Sequence, residues 1–212
     1  MTRQGFALTG MLLAGGSSPL AAQLPIHARL RPQGVAVVHQ EQGVERSANG
    51  FGYGGAIVIQ VSRVTLEASG YRASLETEWD DSDAFDVLQG DARLSVLLYA
   101  PFALEVGLGR RTIDPELSAP GVGWYRVGAT ATTPLTRLAD VTLRGAYLVP
   151  EFDGGGDAGF SIEVGLAAAV GMPNGRFRVR VEYDFQRMDR TVNQIGFPLQ
   201  VTVARAGIDV GF

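Results

Sequence analysis

The sequence predicts an all-β protein: an antiparallel, up-and-down β-barrel of ten strands that crosses a membrane. Segment after segment alternates apolar and polar side chains, as a strand with one apolar and one polar face does. Short turns and longer polar connections also alternate along the chain, an asymmetry typical of transmembrane barrels. The alternating segments have at least the roughly 9 residues that a tilted strand needs to cross a bilayer.

The N-terminus has the pattern of an export signal, because Arg3 is followed by an apolar run over residues 6–14 and then by small residues. We therefore expect residues 1–22 to be a cleaved signal peptide. Residues 23–32 contain two prolines and show no periodicity. They are predicted to be an exported N-terminal tail, which leaves residues 33–212 for the barrel.

Ten strands are predicted, and in most of them every second residue is apolar. They cover residues 33–42, 51–62, 64–75, 91–99, 102–113, 124–134, 141–152, 159–171, 176–186 and 198–212. The first strand is supported by the apolar cluster 35–38, and the sixth, from Trp124, by its position across a short connection from the seventh. The apolar residues that support the other eight strands are, in chain order, Ile57, Ile59 and Val61; Val64, Leu66 and Ala68; Leu94, Val96 and Leu98; Phe102, Leu104, Val106 and Leu108; Leu143, Tyr147 and Val149; Ile162, Val164 and Leu166; Phe177, Val179 and Val181; and Ala204, Ala206 and Ile208.

The number of strands depends on the segment over residues 33–42, which has the least regular pattern. It is included because an exported chain whose two ends lie on the same side of the membrane needs an even number of strands. Eight strands is the alternative, if two of the less regular segments do not pair.

The polar faces of the predicted strands carry charges of both signs, which suits an enclosed lumen. These residues are Glu67, Arg93, Glu105, Arg144, Glu163, Arg178, Arg180, Glu182, Asp184, Arg205 and Asp209. Because an isolated buried charge costs several kcal/mol, they are expected to pair with one another and to plug the barrel with salt bridges. A narrow polar conduit for small solutes is the alternative.

Aromatic residues distinguish a membrane barrel from a soluble one, which has the same alternation with its apolar face inside. At the inner ends of the predicted strands lie Tyr99, Phe102, Phe177 and Phe212. At the outer ends lie Trp124, Tyr125, Phe152, Phe160 and Phe185. Paired girdles of aromatic rings are typical of two membrane interfaces, so this arrangement favours lipid around the barrel.

The last strand ends on an aromatic residue, Phe212, and in this it resembles the closing strand of Gram-negative outer-membrane β-barrels. The resemblance implies an outer-membrane location, a periplasmic N-terminal tail and a role for Phe212 in the assembly signal. It also implies the barrel-assembly machinery and periplasmic chaperones as partners, with outer-membrane lipid and lipopolysaccharide around a barrel that is expected to be a monomer.

Enzymatic activity is not expected from this sequence. Its two histidines, His27 and His39, lie outside the predicted outer loops, and no other base with a pKa near neutrality is evident. A lipid-modifying outer-membrane enzyme is therefore the most distant alternative. No cofactor is expected.

A cluster of acids in the predicted loop over residues 76–90 contains a candidate cation site at Asp80, Asp81, Asp83 and Asp86. The glycine that an EF-hand loop needs does not follow these acids, which favours a solvated, mutually repelling loop over a metal site.

Composition narrows the function classes. The chain has no cysteine, so disulfides and thiol catalysis are excluded. Its net charge is −4 and no basic stripe is present, which argues against a nucleic-acid partner. A structural or surface-interaction role in the outer membrane is therefore the predicted function, with a passive pore as the alternative.

Overall fold

The computed structural model describes residues 26–42, 46–77, 84–114, 121–172 and 175–212, and these form a closed barrel of ten antiparallel strands. The barrel strands are β1 (Ile26–Glu41), β2 (Arg46–Val61), β3 (Val64–Thr77), β4 (Phe85–Tyr99), β5 (Phe102–Asp114), β6 (Val122–Pro134), β7 (Ala139–Phe152), β9 (Ser161–Val170), β10 (Phe177–Met188) and β13 (Leu199–Gly211). Consecutive barrel strands pair, and β13 pairs with β1 to close the cylinder. The prediction of ten strands is confirmed, and the eight-stranded alternative is wrong.

The two ends of the barrel differ. The turn end carries the connections β2–β3, β4–β5, β6–β7 and β9–β10 together with Ile26 and Phe212. The loop end carries the other connections, and there the short strands β8 (Asp157–Ala158), β11 (Arg190–Val192) and β12 (Ile195–Gly196) form a small separate sheet. No helix among the described residues is long and apolar enough to span a membrane.

Strand β1 starts at Ile26 and so includes residues 26–32, which the sequence assigned to the N-terminal tail. Ile26 pairs with Val61 of β2, at the start of a ladder that continues to Glu41. The side chain of Pro32 lies on the exposed outer face of the strand. The signal-peptide prediction and the remainder of the tail, residues 1–25, lie outside the described residues.

Strands β3 and β4 extend further than predicted, so the connection between them covers only residues 78–84 instead of 76–90. The extension is held by buried inward side chains such as Leu75 and Phe85, which pair across the two strands. Of the outward residues here Leu88 is apolar, but Ser74, Glu76 and Asp86 are polar, so the segment lacks the regular apolar outer face that identified the other strands.

The barrel is apolar outside and charged inside. Every barrel strand exposes apolar side chains, for example Leu30, Ile57, Leu66, Leu94, Val106, Val127, Leu143, Leu166, Val181 and Ile208. The residues that alternate with them point inward and are mostly buried. The apolar face of the alternating strands is therefore the outer one, which excludes a soluble barrel with that face turned inward.

Aromatic side chains form a girdle at the turn end, where Tyr99, Phe102, Phe177 and Phe212 are all exposed. The predicted girdle at the loop end needs correction. Tyr125 and Phe160 are exposed there, as are Phe51, Tyr53 and Tyr147, which the sequence analysis did not assign to it. Trp124, however, is 2% exposed and lies inside the barrel, and Phe152 packs against the buried apolar cluster. Their predicted place in the girdle is wrong, because both side chains face inward.

Candidate functional site: the barrel interior

The barrel interior has three layers along its axis. A cavity of about 350 Å³, which we call the vestibule, opens at the turn end between residues such as Arg63 and Pro101. A charge network of arginines, carboxylates and glutamines fills the middle. An apolar layer occupies the half nearer the loop end and includes Leu75, Trp124 and Leu148.

The structure places all eleven predicted lumen residues on the inner side of the barrel, where each takes part in an ion pair. Arg31 lies near the vestibule and contacts three carboxylates. Its Nε is 2.5 Å from Asp209 Oδ1, and its Nη1 is 3.0 Å from Glu182 Oε1 and 3.6 Å from Glu67 Oε1. Arg180 Nε also donates to Glu182 Oε1.

Asp184 connects two further arginines on the wall of the barrel. Arg205 Nη1 donates to Asp184 Oδ2, and Arg144 Nη1 is 3.4 Å from Asp184 Oδ1. Arg144 Nε is also 3.5 Å from Glu105 Oε2, so the carboxylates of β5 and β10 are linked through one guanidinium.

The upper part of the charge network is centred on Arg126, whose side chain is fully buried. Its Nη2 is 2.6 Å from Asp91 Oδ1, and its Nη1 is 2.7 Å from Glu163 Oε1. These residues come from β6, β4 and β9, and one strand separates β6 from each of the other two, so Arg126 links β4 to β9 inside the lumen. Arg93 Nη2 approaches Glu163 Oε1 at 3.6 Å.

Amide side chains join the charge network to the apolar layer. Gln89 donates to Asp91 and Gln186 donates to Glu163, at 2.8 and 2.7 Å. Arg111 Nη2 in turn donates to the side-chain oxygens of both glutamines at 2.6 Å. The guanidinium of Arg111 lies 5.5 Å from the centre of the Trp124 ring, and this contact is the boundary between the two layers.

Gly109 makes room for Trp124 in the apolar layer. A Cβ at position 109 would lie 2.4 Å from Cζ2 of the indole, closer than real Cβ atoms approach. The glycine therefore allows the largest side chain of the interior to lie flat against the wall of β5, and so the lumen is filled at this level.

Sequence analysis missed several members of the charge network, among them Arg31, Asp91, Arg111 and Arg126. Three of these four could have been found from the alternation of faces, because residues an even number of positions apart on a strand point to the same side. Asp91 shares a side with Arg93, Arg111 shares a side with Glu105, and Arg126 stands between the exposed Tyr125 and Val127. Arg31 carried no signal once residues 23–32 were assigned to a tail.

The two histidines lie at opposite ends of the barrel. His39 is buried at the loop end, with its Nε2 3.2 Å from Glu41 Oε1 and its ring against Phe85. His27 is exposed at the turn end. Neither arrangement brings an imidazole to a place that a substrate can reach together with a nucleophile, as far as the described residues extend.

The acidic candidate for a cation site is only partly described, because Asp80, Asp81 and Asp83 lie outside the described residues. Asp86 lies on β4 near the loop end and accepts a hydrogen bond from Arg72. Among the described residues no group of three potential ligands is placed to hold a metal ion.

A closed antiparallel barrel with an apolar exterior, an aromatic girdle and a charged interior has the architecture of the outer-membrane β-barrels of Gram-negative bacteria, and this chain has that architecture. No family model matches the chain, and no curated protein matches it. The solved structures that it is similar to include the following three outer-membrane barrels.

The first is the outer-membrane protease OmpT from Escherichia coli, with 12% identity and a TM-score of 0.47 over 88% of this chain and 96% of that one. The second is the translocator domain of the autotransporter NalP from Neisseria meningitidis, with 12% identity and a TM-score of 0.41 over 87% and 88%. The third is Ail, the attachment invasion locus protein of Yersinia pestis, with 11% identity and a TM-score of 0.40 over 88% and 98%. The barrel class rests on this chain's own strand pairing and not on these similarities.

Proposed function

We propose that the protein is a closed, non-conducting barrel of the Gram-negative outer membrane, with a structural or surface-interaction role at its loop end. The filled interior carries the proposal. A cluster of buried apolar side chains occupies much of the loop-end half of the lumen, and the charge network links facing strands in the middle, for example β4 to β9 through Arg93 and Glu163. Conduction of an ion would require both layers to separate, which would expose buried charges without partners.

A passive pore for small polar solutes is the second candidate, and the vestibule favours it, because water has access to the lumen from the turn end. The proposal includes no catalytic step. This is supported by the burial of His39 and by the position of His27 at the opposite end.

Purified protein in planar lipid bilayers is expected to show no current above the background of the bare membrane. The reason is the apolar layer, whose side chains do not coordinate an ion. Insertion must be shown in the same preparation by a β-sheet circular dichroism spectrum and by protection of the barrel from added protease. Reproducible single-channel steps from inserted protein would favour the pore and contradict closure.

Surface contact is assigned to the loop end, where the connection over residues 78–84 carries four acids, Glu78, Asp80, Asp81 and Asp83. Replacing residues 78–84 with a Gly/Ser linker of equal length should reduce attachment of cells that display the protein. The matched control replaces residues 115–120, the connection between β5 and β6, which contains a single acid. Attachment that is unchanged by the first replacement, or equally reduced by both, would argue against a role for the acidic connection.

Lipopolysaccharide and outer-membrane lipid belong to the proposal as the surroundings of the barrel. Arg72 and Arg110, each 60% exposed, stand just beyond the apolar band at the loop end, where the phosphate groups of an outer leaflet would lie.

The assembly machinery and a cleaved export signal are proposed together with the outer-membrane location. Phe212, 73% exposed at the end of the chain, is accessible for recognition during assembly. The barrel is proposed to act as a monomer.

A further inference from the structure

We propose that the wall of the barrel opens laterally at the seam between β1 and β13, and that the ion pair between Arg31 and Asp209 is the latch that holds this seam closed. The opening is local, at one level of the wall, and it leads sideways toward lipid. It does not depend on whether the lumen conducts along its axis, so the planar-bilayer result does not affect it.

The first argument is a gap in the ladder that closes the barrel. Strand β1 pairs with β13 up to Leu30 and again from Gln33, and the two residues between them have no paired residue on β13. The ladder of β1 with β2, in contrast, is continuous over residues 26–41. Among the barrel ladders that the structure describes, the one other irregularity lies beside the β4–β5 turn, where both strands end. The seam is therefore interrupted within the wall of the barrel.

Pro32 is the physical cause of the gap. Proline has no backbone N–H and so removes one hydrogen bond from a ladder. The two backbones nevertheless stay close, since a Cβ at Gly207 would lie 2.5 Å from the carbonyl oxygen of Pro32. The hydrogen bond is thus missing for lack of a donor, and not because the strands diverge. In hydrocarbon no water replaces the missing donor, so this level is a weak point in the wall.

The second argument is that the side chains of Arg31 and Asp209 take the place of the missing backbone bond. The two residues face each other at the gap, and Arg31 Nε lies 2.5 Å from Asp209 Oδ1. Both side chains are buried, and Arg31 also contacts Glu182 on β10, the strand beyond β13. Charge-assisted hydrogen bonds are about twice as strong as neutral ones, so this ion pair holds the seam where the backbone does not.

The third argument is that β1 has little side-chain support at this level. On the lumen side lies the vestibule, which Arg31 and Asp209 line. On the outer side a groove of about 440 Å³ runs beside Pro32, where Gly55 of β2 and Gly70 of β3 carry no side chain. Both faces of the wall are therefore hollow next to the gap, and β1 can move there without displacing a packed layer.

Amide hydrogen exchange of the folded protein in lipid nanodiscs, measured by NMR and corrected for intrinsic exchange rates, tests the proposal. Gly34 and Ala206 form a hydrogen-bonded pair just beyond the gap. Ala129 and Gly145 form a hydrogen-bonded pair in the continuous ladder of β6 with β7. The amides of the seam pair are expected to exchange several-fold faster than those of the β6–β7 pair, because the seam opens locally.

Two variants change the seam in opposite directions. Pro32→Ala restores an N–H donor and is expected to slow exchange of the seam pair several-fold, and the smaller side chain fits because position 32 is exposed on the outer face. Asp209→Asn removes the charge of the latch and is expected to speed exchange of the seam pair about tenfold. The matched control is Glu105→Gln, a buried carboxylate of β5 that pairs with Arg144 away from the seam, and it should leave seam exchange unchanged.

A seam pair as well protected as Ala129 and Gly145 in wild-type protein would overturn the proposal. Exchange that Pro32→Ala leaves unchanged would also overturn it, because the gap would then not weaken the wall. If Asp209→Asn speeds exchange equally at both pairs, the whole barrel is loosened and Asp209 is not a latch.

A cross-link keeps the proposal testable if Asp209→Asn does not fold. The chain has no native cysteine, and Gly34 has open space where a Cβ would lie. Gly34→Cys combined with Ala206→Cys should form a disulfide across the seam, since paired residues of antiparallel strands have Cα atoms within disulfide range. Oxidation is expected to slow exchange of the Leu30 and Val210 amides on the other side of the gap. Equal exchange in oxidised and reduced protein would contradict a lateral opening.

Discussion

Replacing Arg126 with methionine is expected to lower the free energy of unfolding by about 3 to 5 kcal/mol. Methionine keeps much of the length of the side chain but removes the charge that pairs with Asp91 and Glu163. Both carboxylates would then remain buried with fewer compensating partners, and such uncompensated charges are costly. The measurement is urea unfolding of protein in lipid vesicles, followed by the fluorescence of the two tryptophans, Trp79 and Trp124.

The control for this experiment is Arg72→Met, which removes an arginine from an ion pair with Asp86 outside the apolar band. Because this pair is exposed to solvent, its loss should cost far less than the loss of Arg126. Similar costs for the two substitutions would mean that the interior of the barrel is hydrated and that the charge network contributes little.

Placing a charge on the outer face is expected to have the second largest effect. Val181 is half exposed on β10, between Ala168 and Ala206 of the neighbouring strands. Val181→Arg should cost about 2 to 4 kcal/mol, because the guanidinium would lie in hydrocarbon near the middle of the bilayer. The same unfolding measurement in vesicles provides the test.

The neighbouring residue provides the matched control. Arg180→Gln changes a side chain that points into the lumen, and Glu182 retains Arg31 as a partner when Arg180 is lost. Its cost should therefore be smaller than that of Val181→Arg. If the two costs were equal, or if Val181→Arg were neutral, the outer face would not be in contact with lipid.

The sequence predicted correctly, for most strands, which side chains point outward and which point into the lumen, because alternation alone determines which residues share a side. Residues 177–186 show this clearly: Val179 and Val181 are exposed, while Arg178, Glu182 and Asp184 are buried in the lumen. The even strand count followed from the requirement that both chain ends lie on one side. These properties are local or depend on simple counting.

Depth within the barrel could not be predicted in the same way. Alternation shows that Leu75 and Arg93 both face inward but does not show that one belongs to an apolar layer and the other to a charge network. Depth depends on the register of every pair of strands, which propagates around the cylinder. Trp124 was misplaced for a different reason: its position near a strand end suggested an interface, although its parity placed it inside.

The partners within the charge network also required the closed structure. Asp91, Arg126 and Glu163 lie on strands separated by others, so no pairing rule for neighbouring strands connects them. Their contacts depend on the width of the lumen, which is fixed only when strand number, tilt and stagger are known together.

The seam between β1 and β13 implies an order of events during biogenesis. Arg31 on β1 binds Asp209 on β13, 178 positions later in the chain, and the ladder beside them joins residues near the two termini. Because so long a segment must be brought together before its contacts compensate for the lost chain entropy, closure cannot precede delivery of the final strand. The contact between Arg31 and Asp209 can therefore form only after the last strand has been added, which makes completion of the cylinder a late event.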